Sequence, residues 1–291
     1  KGLKKIEGNL ILDKSYFGQI PNIIDFDDDP MRAYNVLPNA ISIQSNTLNF
    51  KFTPQDNYVK IDVKPELNYL KIKNNLRLSN KNCVSWKQSL DYQKANDSFD
   101  DTIIFQGFLS KKCSNKEIDL SVTDNSRYFF EAFKYLWTHN GGSFSGGYWV
   151  NDKQKLDGKL LASHLSRPLG VLIRDMNKYS LNLMSRNLML TVMEEDLKRQ
   201  VTEDDVNRFV SNWLGSHDIS TNNIFVENGA GLSRKTFINV DSLLEIMEKI
   251  YEHPYMPEIL SSFSILNEDG TLETKMPFSK AKKNGHFKTG S

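Results

Sequence analysis

The sequence predicts an α+β protein, with a β-rich region over residues 1–145 followed by a helix-rich region over residues 146–291. Three observations predict it. Up to about Gly142, apolar residues alternate with polar ones, the period of half-buried strands. Beyond that point they recur at i, i+3, i+4 and i+7, the period of helices with one apolar face. The 291 residues also exceed one ordinary domain, so the chain is long enough to bury more than one core.

Taken in order, the first clear element is a hairpin. Leu48, Phe50 and Phe52 alternate with polar residues, as do Val59, Ile61 and Val63, and the two runs flank the turn-like Pro54-Gln55-Asp56-Asn57. Ile103, Ile104 and Phe105 predict another short strand. Asp25 to Pro30 reads DFDDDP, but it lacks the glycine and glutamate of a calcium loop and reads as a solvated turn. A helix follows with Tyr128, Phe129, Ala132, Phe133, Leu136 and Trp137 on one stripe, stopped by Asn140-Gly141-Gly142. The glycine-rich stretch to Gly147 has no lysine to hold a phosphate and leads into a strand at Tyr148-Trp149-Val150.

The helical half opens with Leu169, Leu172, Ile173 and Met176, then Leu183, Leu188 and Val192. Ser180-Leu181-Asn182 lies at the junction of these two patterns, where a hydroxyl and an amide can be presented from a rigid base. Thr202 with Asp205 resembles a capping box ahead of Val206, Phe209, Val210, Trp213 and Leu214, with Gly215 as the stop. Leu243, Leu244, Met247, Ile250 and Tyr251 repeat the pattern before Pro254. The aromatic and Met positions of these helices are expected to be core.

Composition excludes several classes. Lys plus Arg number 37 against 36 Asp plus Glu, so the net charge of +1 gives no reason to expect nucleic acid or an anionic membrane as partner. Lys280, Lys282, Lys283 and Lys288 form a local basic patch that reads as a solvated loop. No apolar run approaches the ~18 residues of a transmembrane segment. The five histidines show no metal-ligand spacing, so neither metal nor cofactor is expected. Cys83 and Cys113 flank a largely polar stretch and allow one disulfide or two buried thiols.

Three stretches carry a resemblance: KYSLNLMSRNL from Lys178, ENGAGLSR from Glu227, and FKTGS from Phe287. Lys-Thr-Gly after Ser-x-Asn matches the second and third motifs of penicillin-recognising serine enzymes. GNLILDKSYF, YNVLPNAISIQSN, Cys83-Val84-Ser85-Trp86 and Cys113 precede them as further landmarks in family order. On these residues, spread over nearly the whole chain, the sequence resembles the D-alanyl-D-alanine carboxypeptidase/endopeptidase family, the class C low-molecular-mass penicillin-binding proteins.

The resemblance implies a penicillin-recognising serine transpeptidase domain interrupted by one or two β-rich accessory domains. It implies catalytic roles for Ser180, Asn182 and Lys288, substrate binding by Thr289, Gly290, Ser291 and Gly231, and a Cys83–Cys113 disulfide in the periplasm. The implied partners are peptidoglycan stem peptides and β-lactam antibiotics. In the family the acylated serine belongs to Ser-x-x-Lys. The one match here, Ser279-Lys280-Ala281-Lys282, sits in a polar loop and out of motif order. The nucleophile is therefore expected upstream of Lys1, with the Lys-Thr-Gly strand continuing past Ser291, a chain cut at both ends and inactive alone. Asn228 and Ala230 depart from the family's Asp-Gly-Ser-Gly-Leu-Ser, and Gln44 stands near where relatives place an acidic specificity residue. The alternatives are a non-catalytic peptidoglycan-binding homologue and a β-lactamase on the same scaffold.

Overall fold

The computed structural model describes residues 2–20, 27, 29–95, 101–152 and 156–290. These form two compact units, residues 1–14 with 29–151 and residues 15–28 with 152–291.

The first unit opens with β1 (Lys5–Ile6) and β2 (Leu10–Asp13). The expected hairpin is β3 (Leu48–Pro54) and β4 (Val59–Lys64), paired antiparallel from Asn49↔Lys64 to Pro54↔Val59. Its turn closes where the Gln55 N–H donates to the Tyr58 carbonyl at 2.8 Å. β5 (Lys71–Ser79), β6 (Leu90–Lys94), β7 (Thr102–Ser110) and β8 (Lys116–Leu120) complete two three-stranded sheets, β4-β3-β8 and β5-β7-β6. The strand expected at residues 103–105 is thus part of a longer one. Because side chains alternate along a strand, Leu48, Phe50 and Phe52 share one side of β3, and Ile103 and Phe105 one side of β7. All five are fully buried. Phe105 meets Phe50 and Phe52 edge-on, with ring centroids 5.0 and 5.1 Å away. Cys83 and Cys113 are joined by a disulfide across 30 residues. A loop of that length contributes about 3–4 kcal/mol in the chain-entropy model.

Helix α1 (Asn125–His139) starts where Asp124 accepts hydrogen bonds from the Ser126 and Arg127 N–H groups. Its buried face differs from the expected stripe. Ser126, Tyr128, Phe130 and Ala132 are buried, while Leu136 is exposed. The reason is that the helix is covered on two sides near its start. The Tyr128 hydroxyl donates to Gln44 Oε1 at 2.8 Å. Phe130 packs on Phe144 and Tyr148, at 5.6 and 4.8 Å. Those two rings belong to β9 (Ser143–Phe144) and β10 (Tyr148–Asn151), which pair parallel with β1 and β2. Of the acidic DFDDDP stretch, Asp25, Phe26 and Asp28 lie outside the described residues. Asp29 accepts hydrogen bonds from the Arg32 guanidinium and the Tyr92 hydroxyl.

The second unit contains α2 (Leu169–Tyr179), α3 (Asn182–Leu197), α4 (Val206–Ser216), β11 (Ile224–Phe225), β12 (Phe237–Ile238), α5 (Val240–Glu252), α6 (Met256–Ser262), β13 (Ser264–Ile265) and β14 (His286–Phe287). β11 pairs antiparallel with β12, and β13 with β14. One core cluster joins Phe17 to Leu190, Met193, Val201 and Val206; another joins Leu214, Ile219 and Ile224. Among the described residues no helix is long and apolar enough to cross a membrane.

Two expectations need correcting. On α3 the buried positions are Leu183, Arg186, Leu190 and Met193, whereas Val192 is exposed. The charged Arg186 takes a place on the buried stripe because its guanidinium forks onto Glu203, with Nε and Nη2 2.6 and 2.7 Å from the two carboxylate oxygens. On α5 the expected core residues Met247 and Tyr251 are exposed, as are Leu243 and Leu244 of the same stripe, and so is the expected core residue Trp213 on α4. Helical periodicity marks which face is apolar, not what covers it. Among the described residues Ile246 is the α5 side chain that packs against a core cluster.

The capping box ahead of α4 is present, with Thr202 and Asp205 each bonding the other's backbone. Asp205 also receives hydrogen bonds from Arg199 and Arg208 at 2.7 and 2.6 Å. Arg199 above all, against a smaller effect of burial, draws the Asp205 pKa down to about 2. A carboxylate with a lowered pKa adds stability above its unfolded value of ~3.9, and that stability is lost as pH falls through the folded value. The thermal midpoint is expected to drop between about pH 4 and pH 2 less steeply in Asp205→Asn than in the unsubstituted chain. Parallel curves in differential scanning calorimetry would contradict this.

Candidate active site

The site is built where α2 gives way to α3. Ser180 caps α2 in the left-handed region, with φ 54° and ψ 52°, a conformation that costs a non-glycine residue about 1–2 kcal/mol. The Leu181 N–H reaches back to the Met176 carbonyl at 3.0 Å, closing the helix end. The chain then starts α3 at once, with Asn182 as its first residue. Its half-buried side-chain amide has no hydrogen-bond partner among the described residues.

Lys288 arrives from far along the chain, one residue after β14. Its ammonium donates to Ser180 Oγ at 2.9 Å, across 108 residues, and to the Thr289 carbonyl at 2.9 Å. Accepting that bond leaves the Ser180 hydroxyl proton free to be donated elsewhere. Lys288 is exposed as a residue, but its ammonium is partly shielded and has no carboxylate partner among the described residues. That desolvation lowers its pKa from the ordinary lysine value, because burial without a counter-ion disfavours the charged form.

Around this pair, Thr289 Oγ1 lies 3.1 Å from Thr271 Oγ1. Gly290 follows with open space where a side chain would be. His286, on β14, turns its Nδ1 toward the Leu260 carbonyl at 3.2 Å. The 227–234 turn is fastened to α3 by Ser185, whose hydroxyl donates to the Gly229 carbonyl at 2.8 Å. Gly229 has φ +69°, and a Cβ there would stand 3.0 Å from Met189, so both conformation and space favour glycine. Gly231, also at positive φ, faces open space. Asn228 uses both ends of its amide to close the turn, Nδ2 donating to the Leu232 carbonyl and Oδ1 accepting from the Ala230 N–H. A carboxylate at that position could accept but not donate.

The whole chain, residues 1–291, matches the family model described as "D-Ala-D-Ala carboxypeptidase 3 (S13) family". The chain belongs to the S13 family. It is 25% identical over 276 residues to D-alanyl-D-alanine carboxypeptidase DacB of Haemophilus influenzae, covering 94% of this chain and 56% of that protein. The crystal structure of penicillin binding protein 4 (dacB) from H. influenzae superposes with a TM-score of 0.81 at 23% identity, over 100% of this chain and 64% of that one. A structure of the same protein complexed with a novel β-lactam gives a TM-score of 0.73 at 23% identity, with 100% and 63% covered. These likenesses show the α+β fold of the family. This S13 chain spans less than two thirds of the relatives it matches.

Within this S13 chain, the structure brings Ser180 and Lys288 into contact, with Asn182 two residues on. Gly231 belongs to a turn tied to α3 through Ser185, and Ser291 lies outside the described residues. Cys83 and Cys113 belong to the first unit. Ser279, half-buried, and Lys282, exposed, sit in a turn outside any helix, where Ser279 Oγ accepts from the Ala281 N–H at 3.2 Å. Among the described residues no group of His, Cys, Asp and Glu is placed to hold a metal ion. Sequence reasoning missed Lys178, Asp269, Ser264 and Thr271, which lie behind the Ser180–Lys288 pair. The buried lysine two residues before Ser180 was in plain view, but nothing in an apolar pattern marks it.

Proposed function

We propose that this chain is the central part of a serine-type D-alanyl-D-alanine carboxypeptidase/endopeptidase. It acts on peptidoglycan stem peptides in the periplasm and is acylated by β-lactams. The observation that carries the reading is the 2.9 Å contact of Lys288 Nζ with Ser180 Oγ, in a chain matched to the S13 family over its full length. The disulfide supports an oxidising compartment. In this reading the β-rich unit is an accessory insertion and the helix-rich unit belongs to the transpeptidase-like domain.

The chemistry follows from the donors. Cleavage of an amide or a β-lactam joins a serine oxygen to the carbonyl carbon, that serine giving its proton to a base held beside it outside residues 1–291, and breaks the C–N bond, so the departing nitrogen needs a proton. Ser180 Oγ supplies that proton and recovers one from the Lys288 ammonium. The Asn182 amide holds the substrate backbone. Lys288 and Thr289 attract the substrate's terminal carboxylate, and the backbone from Gly290 to Ser291 pairs with the peptide, with Gly231 lining its approach. The attacking serine comes from polypeptide outside residues 1–291, because Ser279 sits on a turn outside any helix and, among the described residues, no base is hydrogen-bonded to its Oγ.

Intact mass spectrometry after incubation with benzylpenicillin tests this. Residues 1–291 alone are expected to take no adduct, and the full-length protein one equivalent on a serine outside this stretch. An adduct on the short chain would put the nucleophile at Ser180 or Ser279 and overturn the assignment. No adduct on either would favour the non-catalytic peptidoglycan-binding homologue.

A further inference from the structure

The side chain of Lys178, on the last turn of α2 two residues before the Ser180 cap, points away from solvent. It is 5% exposed, and its ammonium donates to the Phe263 carbonyl at 3.0 Å and to Asp269 Oδ2. A buried ammonium is costly unless paired and fully hydrogen-bonded, so this arrangement holds one geometry. Asp269 is tied in turn, its Oδ1 accepting from the Ile265 N–H at 2.8 Å. Ile265 lies on β13 opposite His286 of β14, two residues before Lys288. Burial alone would raise the Asp269 pKa, but Lys178 and the Ile265 N–H hold it below the usual carboxylate value.

A second route runs alongside the first. The Ser264 hydroxyl donates to the Lys178 carbonyl at 3.1 Å and lies 3.5 Å from Thr271 Oγ1. Thr271 Oγ1 is the atom that meets Thr289 of Lys-Thr-Gly. Gly270 lets the two segments approach. A Cβ there would fall 2.4 Å from Ser264 Oγ and 2.5 Å from the Lys178 carbonyl, and its φ is +58°. Asn177 adds a brace, donating to Ser262 Oγ at 2.8 Å. Both routes start on the last turn of α2 and end at the residues that carry the ammonium. Neither touches the reacting atoms.

We propose that Lys178 and Asp269 are positioning residues that set the distance between Ser180 Oγ and Lys288 Nζ. The proposal rests on the reading of that pair as part of the acylation machinery. A mismatch of about 1 Å between catalytic groups costs about 10²-fold in rate.

The test uses the full-length protein carrying Lys178→Met together with Asp269→Asn. This removes both charges and keeps an acceptor for the Ile265 N–H. Acylation by benzylpenicillin is expected to slow about 10²-fold, with the thermal midpoint near that of the unsubstituted protein. The Lys288 titration in the rate–pH profile should move up toward the ordinary lysine value as its ammonium swings into water. An unchanged rate and profile would overturn the proposal. If the double variant does not fold, Asp269→Asn alone, at a side chain one-third exposed, breaks the ion pair with Lys178 while keeping the acceptor for the Ile265 N–H, and the same two readouts decide. If the unsubstituted protein takes no adduct, the functional reading fails by itself. Positioning is then read from the Lys288 titration followed by NMR with 13C at lysine Cε, the resonance being assigned with Lys288→Gln. An upward shift in the double variant supports the positioning role of Lys178 and Asp269, and no shift overturns it.

Discussion

Lys288→Ala in the full-length protein is expected to slow acylation by benzylpenicillin about 10²–10³-fold, the loss typical of removing one preorganised donor from a reacting centre. The side chain is exposed and its ammonium makes two hydrogen bonds, to Ser180 Oγ and the Thr289 carbonyl. The unfolding midpoint should therefore stay where it is. The pH dependence gives the sharper reading. Partial burial lowers the Lys288 pKa, so its ammonium is lost at lower pH than an ordinary lysine's. If Ser180 recovers its proton from that ammonium, the acylation rate falls as pH rises through the lowered pKa. Stopped-flow acylation from pH 6 to 10.5 should show that limb in the unsubstituted protein and none in Lys288→Ala. A variant that acylates at the unsubstituted rate would remove Lys288 from the mechanism.

Phe105→Ala is expected to destabilise the first unit by about 3–5 kcal/mol, the range for truncating a buried phenylalanine. The ring is fully buried and is contacted edge-on by Phe50 and Phe52 from the other sheet, so its loss opens a cavity between two rigid faces. Urea unfolding followed by circular dichroism measures the change. Phe278→Ala is the control: that ring is 98% exposed, and its removal should change stability by less than about 0.5 kcal/mol. A Phe105→Ala loss near the control's would mean the sheets do not meet at this ring.

The parts of this fold that local chemistry dictates were legible in the sequence. β3 and β4 follow from a two-residue period broken by turn residues, and the α2–α3 junction from two apolar patterns with a polar triplet between them. The Ser180–Lys288 contact was legible through motif order alone, since no local pattern links residues 108 apart. Buried charge was not legible. Arg186 and Lys178 sit where an apolar residue would be expected, and each is matched by an acid, Glu203 or Asp269, that folding brings to it. The exposure of α5 was not legible either, because an apolar stripe looks the same whether or not something lies against it.

The parallel pairing of β2 with β10 bears on how the chain is made. Leu10–Asp13 must find Tyr148–Asn151, 138 residues later. At a synthesis rate of about 5–20 residues per second, the earlier strand waits on the order of ten seconds for its partner to emerge. Until then it is an unpaired edge reading LILD, with Ile11 still exposed in the finished fold. Such edges are the sites at which nascent chains stick to one another. The first unit's most vulnerable moment is therefore its own synthesis, and its yield depends on keeping those four residues covered until the strand that completes them arrives.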